Sequence, residues 1–177
     1  MPLGLINAYG KSTVTIETNQ DLTPAFVSAN ATKMFQRLKI ERNASTVWLY
    51  NKTDLFSDMA LATIDVGTGG APAGLIQRLP GSPDMNMLGI PLVDTEHCQA
   101  AGTSGDVILT DLSQYIIADD RQGAEIAQSM HLAFDYGTEN YRIIKYTDGQ
   151  PRWSSAFTRQ NSTNDFSSIV DLGTRTA

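Results

Sequence analysis

Few side chains in this 177-residue sequence could carry chemistry: it holds one cysteine and two histidines. His97 and Cys98 are adjacent. A Cys–His pair is reactive only when the thiol and imidazole lie within hydrogen-bond reach. Neighbours on extended backbone point to opposite faces, so ordinary structural roles are expected for both. The other histidine, His131, lies in Ser129-Met130-His131-Leu132-Ala133-Phe134, a mostly apolar context that predicts a half-buried ring. Residue types alone would permit a Ser–His–Asp triad, but the Gly-x-Ser-x-Gly elbow does not occur.

Metal and phosphate chemistry fare no better. A structural zinc site takes about four Cys or His ligands, more than the chain contains. Asp119 and Asp120 invite a calcium reading, but the Asp-x-Asp-x-Asp-Gly spacing is missing, and with Arg121 behind them they read as a solvated turn. Gly67-Thr68-Gly69-Gly70 lacks the Lys-Ser/Thr of a phosphate loop and fails the dinucleotide spacing, so it reads as a flexible loop. Trp48 and Trp153 sit in strand-like runs, where an aromatic is expected in the core. These readings predict no catalytic, cofactor-binding or metal-ligating residue, no cofactor, and no enzyme activity.

Composition narrows the class further. The chain is 41% hydrophobic and 18% charged, both low for a globular protein, and Thr, Ser, Asn, Gln and Gly fill the difference. That is a strand-and-turn composition. The net charge is -6. Polyphosphate binding needs clustered cations to displace counterions. The 13 Lys and Arg are scattered and never adjacent, so sequence-specific nucleic-acid binding is not expected. One cysteine precludes an internal disulfide and points to a reducing compartment. No apolar run approaches the roughly 20 residues of a membrane span. No signal peptide is expected from Met1-Pro2-Leu3-Gly4-Leu5-Ile6, and the Asn-x-Ser/Thr triplets at Asn30, Asn43, Asn51 and Asn161 read as chance matches.

The elements that must position these residues follow from periodicity. Val14 and Ile16 alternate with Thr over 12–18, predicting a half-buried strand. Thr23 as N-cap and Pro24 at the first position predict a helix with Val27, Ala31, Met34, Phe35 and Leu38 inward and Lys33, Gln36, Arg37 and Lys39 outward. Thr46 to Tyr50 reads as a strand covered on both faces, and Asn51 as the N-cap of a second helix bearing Leu55, Phe56, Met59 and Ala62. Residues 67–86, broken by Gly and Pro, read as one long irregular loop. Leu88 to Val93 reads as an edge-like strand, because Pro91 cannot donate. Val107 to Thr110 and Tyr115 to Ala118 read as strands around a short turn or helix. Asp148-Gly149 predicts a hairpin turn between strands 141–146 and 152–158. Phe166, Ile169, Val170 and Leu172 suggest a closing strand. The fold class is α+β, with short helices flanking a mixed central sheet.

The order of these motifs resembles the C-terminal part of tailed-phage major capsid proteins of the Hong Kong 97 type. The carrying segments are Gly4-Leu5-Ile6-Asn7, then the amphipathic helix, then Asn43-Ala44-Ser45-Thr46-Val47-Trp48-Leu49-Tyr50-Asn51. Leu88 to Val93, Ala101 to Leu109, Asp111 to Ile117 and Asp148-Gly149-Gln150-Pro151 continue it. No single motif is specific; their order across nearly the whole chain is. The resemblance implies a structural subunit that joins copies of itself in pentamers or hexamers around DNA, with scaffold, portal or decoration proteins as further partners and no membrane. It implies that 1–45 belong to a peripheral domain, 46–145 to an axial domain, and 146–177 to a return hairpin and closing strand. It places the 67–86 loop toward the capsomer axis, with Pro72, Leu75, Arg78, Pro80, Asp119 and Arg121 as expected contact residues. It also implies residence in the virion capsid after synthesis in the bacterial cytoplasm. The family's N-terminal arm, extended hairpin and spine helix have no counterpart before Gly4, which leaves unaided shell assembly open.

Three other readings compete. An encapsulin-like nanocompartment shell shares the fold. A small hydrolase would depend on His131. A ligand-binding module would use the Gly/Pro loop as a lid.

Overall fold

The computed structural model describes residues 2–15, 25–39, 45–64, 73–78, 84–120 and 123–175. In chain order these form β1 (Ser12–Val14), α1 (Ser28–Arg37), β2 (Thr46–Tyr50), α2 (Lys52–Leu61), β3 (Thr63–Ile64), β4 (Ala73–Gly74), β5 (Ile76–Arg78), β6 (Met85–Met87), β7 (Ile90–Asp94) and β8 (Val107–Asp111). There follow β9 (Tyr115–Asp119), β10 (Glu125–Ser129), β11 (Asn140–Ile144), β12 (Thr147–Pro151), β13 (Phe157–Thr158), β14 (Asp165–Phe166) and β15 (Ile169–Leu172). Seven strands make one mixed sheet in the order β1-β15-β8-β2-β7-β6-β5. The pairs β1–β15 and β2–β7 are parallel and the rest antiparallel. The expected α+β class with a mixed central sheet and short helices therefore holds.

Alternation builds two apolar layers. Val107 and Leu109 of β8, Trp48 and Tyr50 of β2, and Val170 and Leu172 of β15 join Ala31 and Met34 of α1 and Leu55 and Met59 of α2. On the other layer Ile108 and Ile169 meet Ala8 and Cys98, with Leu5 and Ile6 packed over them. Strand β8 is buried along its whole length, as its central place in the sheet requires. Trp48 is fully buried, and its indole N–H donates to the Met87 carbonyl at 3.1 Å. Asn51 caps α2 as expected, its side-chain oxygen accepting from the Thr53 N–H at 3.0 Å.

The structure corrects several expectations. Helix α1 opens at Ser28 rather than Pro24. Val27 is extended and Phe26 is buried, so core contact holds the approach out of the helix. Thr23 and Pro24, like Ile16, lie outside the described residues. Val27 has no acceptor in its side chain; instead buried Asn30 accepts from the Val27 N–H at 3.1 Å. The closing strand β15 is internal, between β1 and β8.

Pro91 does not mark an edge, because β7 lies between β2 and β6. Leu88 and Gly89, with φ of 52° and 75°, form the two-residue turn between β6 and β7. Met87 and Ile90 flank that turn, so the next pair, Asn86 and Pro91, is one that exchanges no hydrogen bond. The ladder to β2 begins only at Leu92. The missing N–H of Pro91 therefore costs the sheet nothing.

The 67–86 segment is not one irregular loop. Within it, β4 pairs with β3, and β5 pairs with β6 and forms an edge of the main sheet. Residues 67–72 and 79–83 lie outside the described residues. Asp148-Gly149 is no turn either. Both sit inside β12, opposite Ala118 and Ile117 of β9. Gly149 serves close packing: a Cβ there would come within 2.8 Å of the Tyr115 ring. Of the 152–158 run, only Phe157–Thr158 is strand.

Candidate subunit interface

The candidate reactive groups are scattered. His97 is exposed and Cys98 buried, but on a turn rather than the expected extended segment: the Cys98 N–H donates back to the Thr95 carbonyl at 3.4 Å. Burial, then the carboxylates of Asp106 and Asp94, push the Cys98 thiol up to about 11, which keeps it protonated and unreactive near neutrality. His131 is exposed, not half-buried. It opens a 3-10 turn over His131–Tyr136, which also carries exposed Phe134 and Tyr136. Among the described residues no group of three or more His, Cys, Asp or Glu side chains could hold a metal ion. No helix among them is long and apolar enough to cross a membrane. Trp153 is half-buried rather than core, packing edge-on against Phe157 at 4.9 Å beneath the Lys39 ammonium.

A different feature dominates the surface. After β8 the chain leaves the sheet through a 3-10 turn at Leu112–Gln114 and runs out along β9 and β10. It turns at His131–Tyr136 and returns along β11 and β12. The two antiparallel pairs, β9 with β12 and β10 with β11, lie outside the main sheet. An isolated two-stranded ribbon is marginal in water, so its root must be tied down. The Arg152 N–H donates to the Gln114 carbonyl at 2.8 Å, and the Trp153 indole donates to the Gln114 side chain at 3.1 Å. The Leu3 N–H donates to the Gly149 carbonyl at 2.7 Å, and the Tyr115 hydroxyl donates to the Leu3 carbonyl at 2.6 Å.

Beyond that root the ribbon carries apolar side chains with nothing behind them. Fourteen large apolar side chains stand exposed among the described residues, and ten of them fall between Leu112 and Tyr146. On the distal pair, Ile126 faces Ile143 across the ladder, with Tyr141 beside them, each more than 60% exposed. Ile117, 68% exposed, continues the exposure on the proximal pair. Contiguous exposed apolar surface of this kind marks an interaction site.

The expected contact residues divide accordingly. Asp119 is exposed in β9, where the Thr147 hydroxyl and then the Lys145 ammonium, 3.5 Å away, hold its carboxyl below the ordinary range. Arg78 is exposed on the edge strand β5. Leu75 is 1% exposed and packs into the chain's own core, so its side chain offers a neighbour no surface. Pro72, Pro80 and Arg121 lie outside the described residues. Sequence reasoning missed the ribbon isoleucines and tyrosines because such residues are usually read as core. The weak alternation over 124–130, without helix signals around it, was the available sign.

An α+β subunit with one mixed sheet, a projecting apolar ribbon and dispersed reactive groups is the form of an assembling protein. Comparison with known proteins is consistent with that class. The model of the Phage capsid family matches residues 1–161, and the chain belongs to this family. Among solved structures it is similar to a chain described as the capsid of an empty GTA particle computed with C5 symmetry, with a TM-score of 0.58 and 15% sequence identity. The alignment covers 97% of this chain and 55% of that one, so this chain spans about half the length of its structural relative. No match is found among curated proteins.

Proposed function

We propose that this chain is a structural subunit of a phage or prophage icosahedral capsid, associating with copies of itself into capsomers that enclose DNA. The observation that carries this reading is the ribbon from Leu112 to Tyr146, whose exposed isoleucines and tyrosines have no core of their own. Burying one isoleucine against a neighbour contributes roughly 1.5–3 kcal/mol, enough that a few such side chains decide whether copies associate. Closed rings of identical subunits require surfaces of this sort and no tuned acid, base or nucleophile.

In this reading the fold is of the Hong Kong 97 type. Residues 46–145 supply the axial part, while 1–45 and 146–177 supply the peripheral part. The side-by-side pairing of β1 with β15, drawn from the two chain ends, supports that division. The edge strand β5, with Arg78, faces the ring axis, and the ribbon with Asp119 reaches a neighbouring copy. Scaffold, portal or decoration proteins are further partners, and the protein is made in the bacterial cytoplasm before residing in the virion.

Sedimentation velocity over a concentration series tests the proposal. Wild type is expected to sediment faster as concentration rises. Ile117→Asp with Ile143→Asp is expected to weaken association by about tenfold or more, because each places a charge where an apolar contact forms. Equal association by the folded double variant contradicts the ribbon's role. Exchanging 72–83 for a Gly-Ser linker is a poorer test, since it removes core Leu75 and edge strand β5 together.

A further inference from the structure

Apart from the ribbon there is a second surface that neither the family match nor the sequence pattern assigns. The C-terminal half of α1 and the 159–165 segment wall an open groove of about 790 Å³. Lys33, Arg37, Lys39 and Arg159 line it beside one acid, Asp165, so four of the thirteen cations of a chain whose net charge is -6 gather there against a single carboxylate. The fold gathers them from distant positions: Lys33 and Arg37 share a helix face at i, i+4, and Arg159 arrives from the hairpin region.

The arginines are held in place by the protein itself. Arg37 donates to the Thr13 carbonyl at 2.5 Å and to the Asn164 side chain at 3.4 Å. Arg159 donates to the Gln36 carbonyl at 2.6 Å. Each guanidinium keeps further N–H donors for a partner. Among these cations stands Phe35, 41% exposed. Arginine with an exposed aromatic is the composition of a protein-binding hot spot, and a duplex phosphate backbone would leave Phe35 unused.

The partner that fits must be acidic and apolar together. The base of this chain's own ribbon has that chemistry: Ile116 and Ile117 lead directly into Asp119 and Asp120, all exposed. The ion pair of Asp119 with Lys145 is half exposed at both ends, so it is weak and exchangeable. We infer that the groove of one subunit receives the 116–120 segment of the next copy, most of β9 with Asp120 beyond it, a head-to-tail contact whose repetition closes a ring. This inference rests on the self-association proposed above and names the surfaces that mate.

Charge reversal of the full 177-residue chain tests it. One variant carries Lys33→Glu and Arg159→Glu; the other carries Asp119→Lys and Asp120→Lys. Circular dichroism first establishes that each is folded, and Lys33→Glu alone serves if loss of the Arg159–Gln36 bond unfolds the first. By sedimentation velocity, each variant alone is expected to associate about tenfold or more weakly than wild type. An equimolar mixture is expected to recover association, because each variant's groove then finds the other's ribbon of opposite sign, in every mixed pair and all the way round an even-membered ring that alternates the two variants. Wild-type association should also weaken as salt is raised. If wild type associates and both variants match it, the groove–ribbon contact is wrong while self-association stands. Weakened variants that do not recover on mixing overturn it too. Groove-dependent binding of a duplex oligonucleotide, with association unchanged by the groove variant, assigns the groove to nucleic acid instead. A wild type that stays monomeric at every concentration overturns both this contact and the proposed function.

Discussion

Arg175 gives a sharp test of how the chain end is fastened. Its side chain is fully buried, against an Asp106 that is fully buried too. Both guanidinium nitrogens Nη1 and Nη2 donate to the Asp106 carboxylate, Nη1 at 3.3 Å. The carboxylate also accepts from the N–H groups of Gly102 at 2.9 Å and Val107 at 2.8 Å, and the Arg175 N–H donates to the Gly102 carbonyl at 2.7 Å. Burial pushes the Asp106 carboxyl up, while Arg175 and the two backbone donors hold it back. Arg175→Met removes the cation and leaves the carboxylate buried with two backbone donors. Breaking a buried pair from one side costs about 3–5 kcal/mol, a large part of the about 5–15 kcal/mol that holds an ordinary domain folded. At about 2–4 °C per kcal/mol for a chain of this size, Tm should fall by about 6–20 °C. Asp106→Asn added to Arg175→Met removes the stranded charge but keeps an acceptor for only one of the two N–H groups, because Gly102 and Val107 bond different carboxylate oxygens. The double variant should recover part of the loss. Calorimetry on wild type, both single variants and the double variant closes the cycle. A loss under about 1 kcal/mol for Arg175→Met, or strict additivity in the double variant, would refute the reasoning.

Two further outcomes follow from other parts of the fold. Cys98, with its thiol pushed up to about 11, is expected to resist iodoacetamide at pH 8 in the native protein and to react readily in denaturant. Its folded value lies above the unfolded one near 9, so its contribution to stability is complete below pH 9 and is lost as pH rises from 9 toward 11. Equal labelling rates in native and denatured protein at pH 8 would contradict this. Gly149→Ala drives a methyl to within 2.8 Å of the Tyr115 ring. Overpacking of this kind costs about 1–3 kcal/mol, and hydrogen exchange at Leu3 should rise as its bond to Gly149 loosens; an unchanged melting curve would mean that the ring moves aside freely.

Local signals were legible wherever one residue decides a local geometry. Asn51 caps a helix because its side chain reaches the next turn, and the apolar run at Thr46 to Tyr50 is an internal strand, paired along both edges by β8 and β7 with one face buried and the other half-buried. Long-range pairing was not legible. Asp148-Gly149 has turn chemistry, but the 112-residue separation between Leu3 and Tyr115 hides the contacts that hold Gly149 in a strand. Pro91 looks like an edge residue until the register shows that its N–H is never needed. The cationic groove is invisible in one dimension, since Lys33 and Arg159 meet only after β13 and β14 fold back toward α1. The ribbon was hidden for a different reason: Ile117, Ile126 and Ile143 are core residues by type, and only their burial in another copy would make them so.

The most direct test of the capsid-subunit account is electron microscopy of the concentrated wild-type chain beside the Ile117→Asp, Ile143→Asp variant. The expected result is five- or six-fold rings from wild type that the variant does not form. Isolated single subunits from wild type at every concentration, or unchanged rings from the variant, would contradict it.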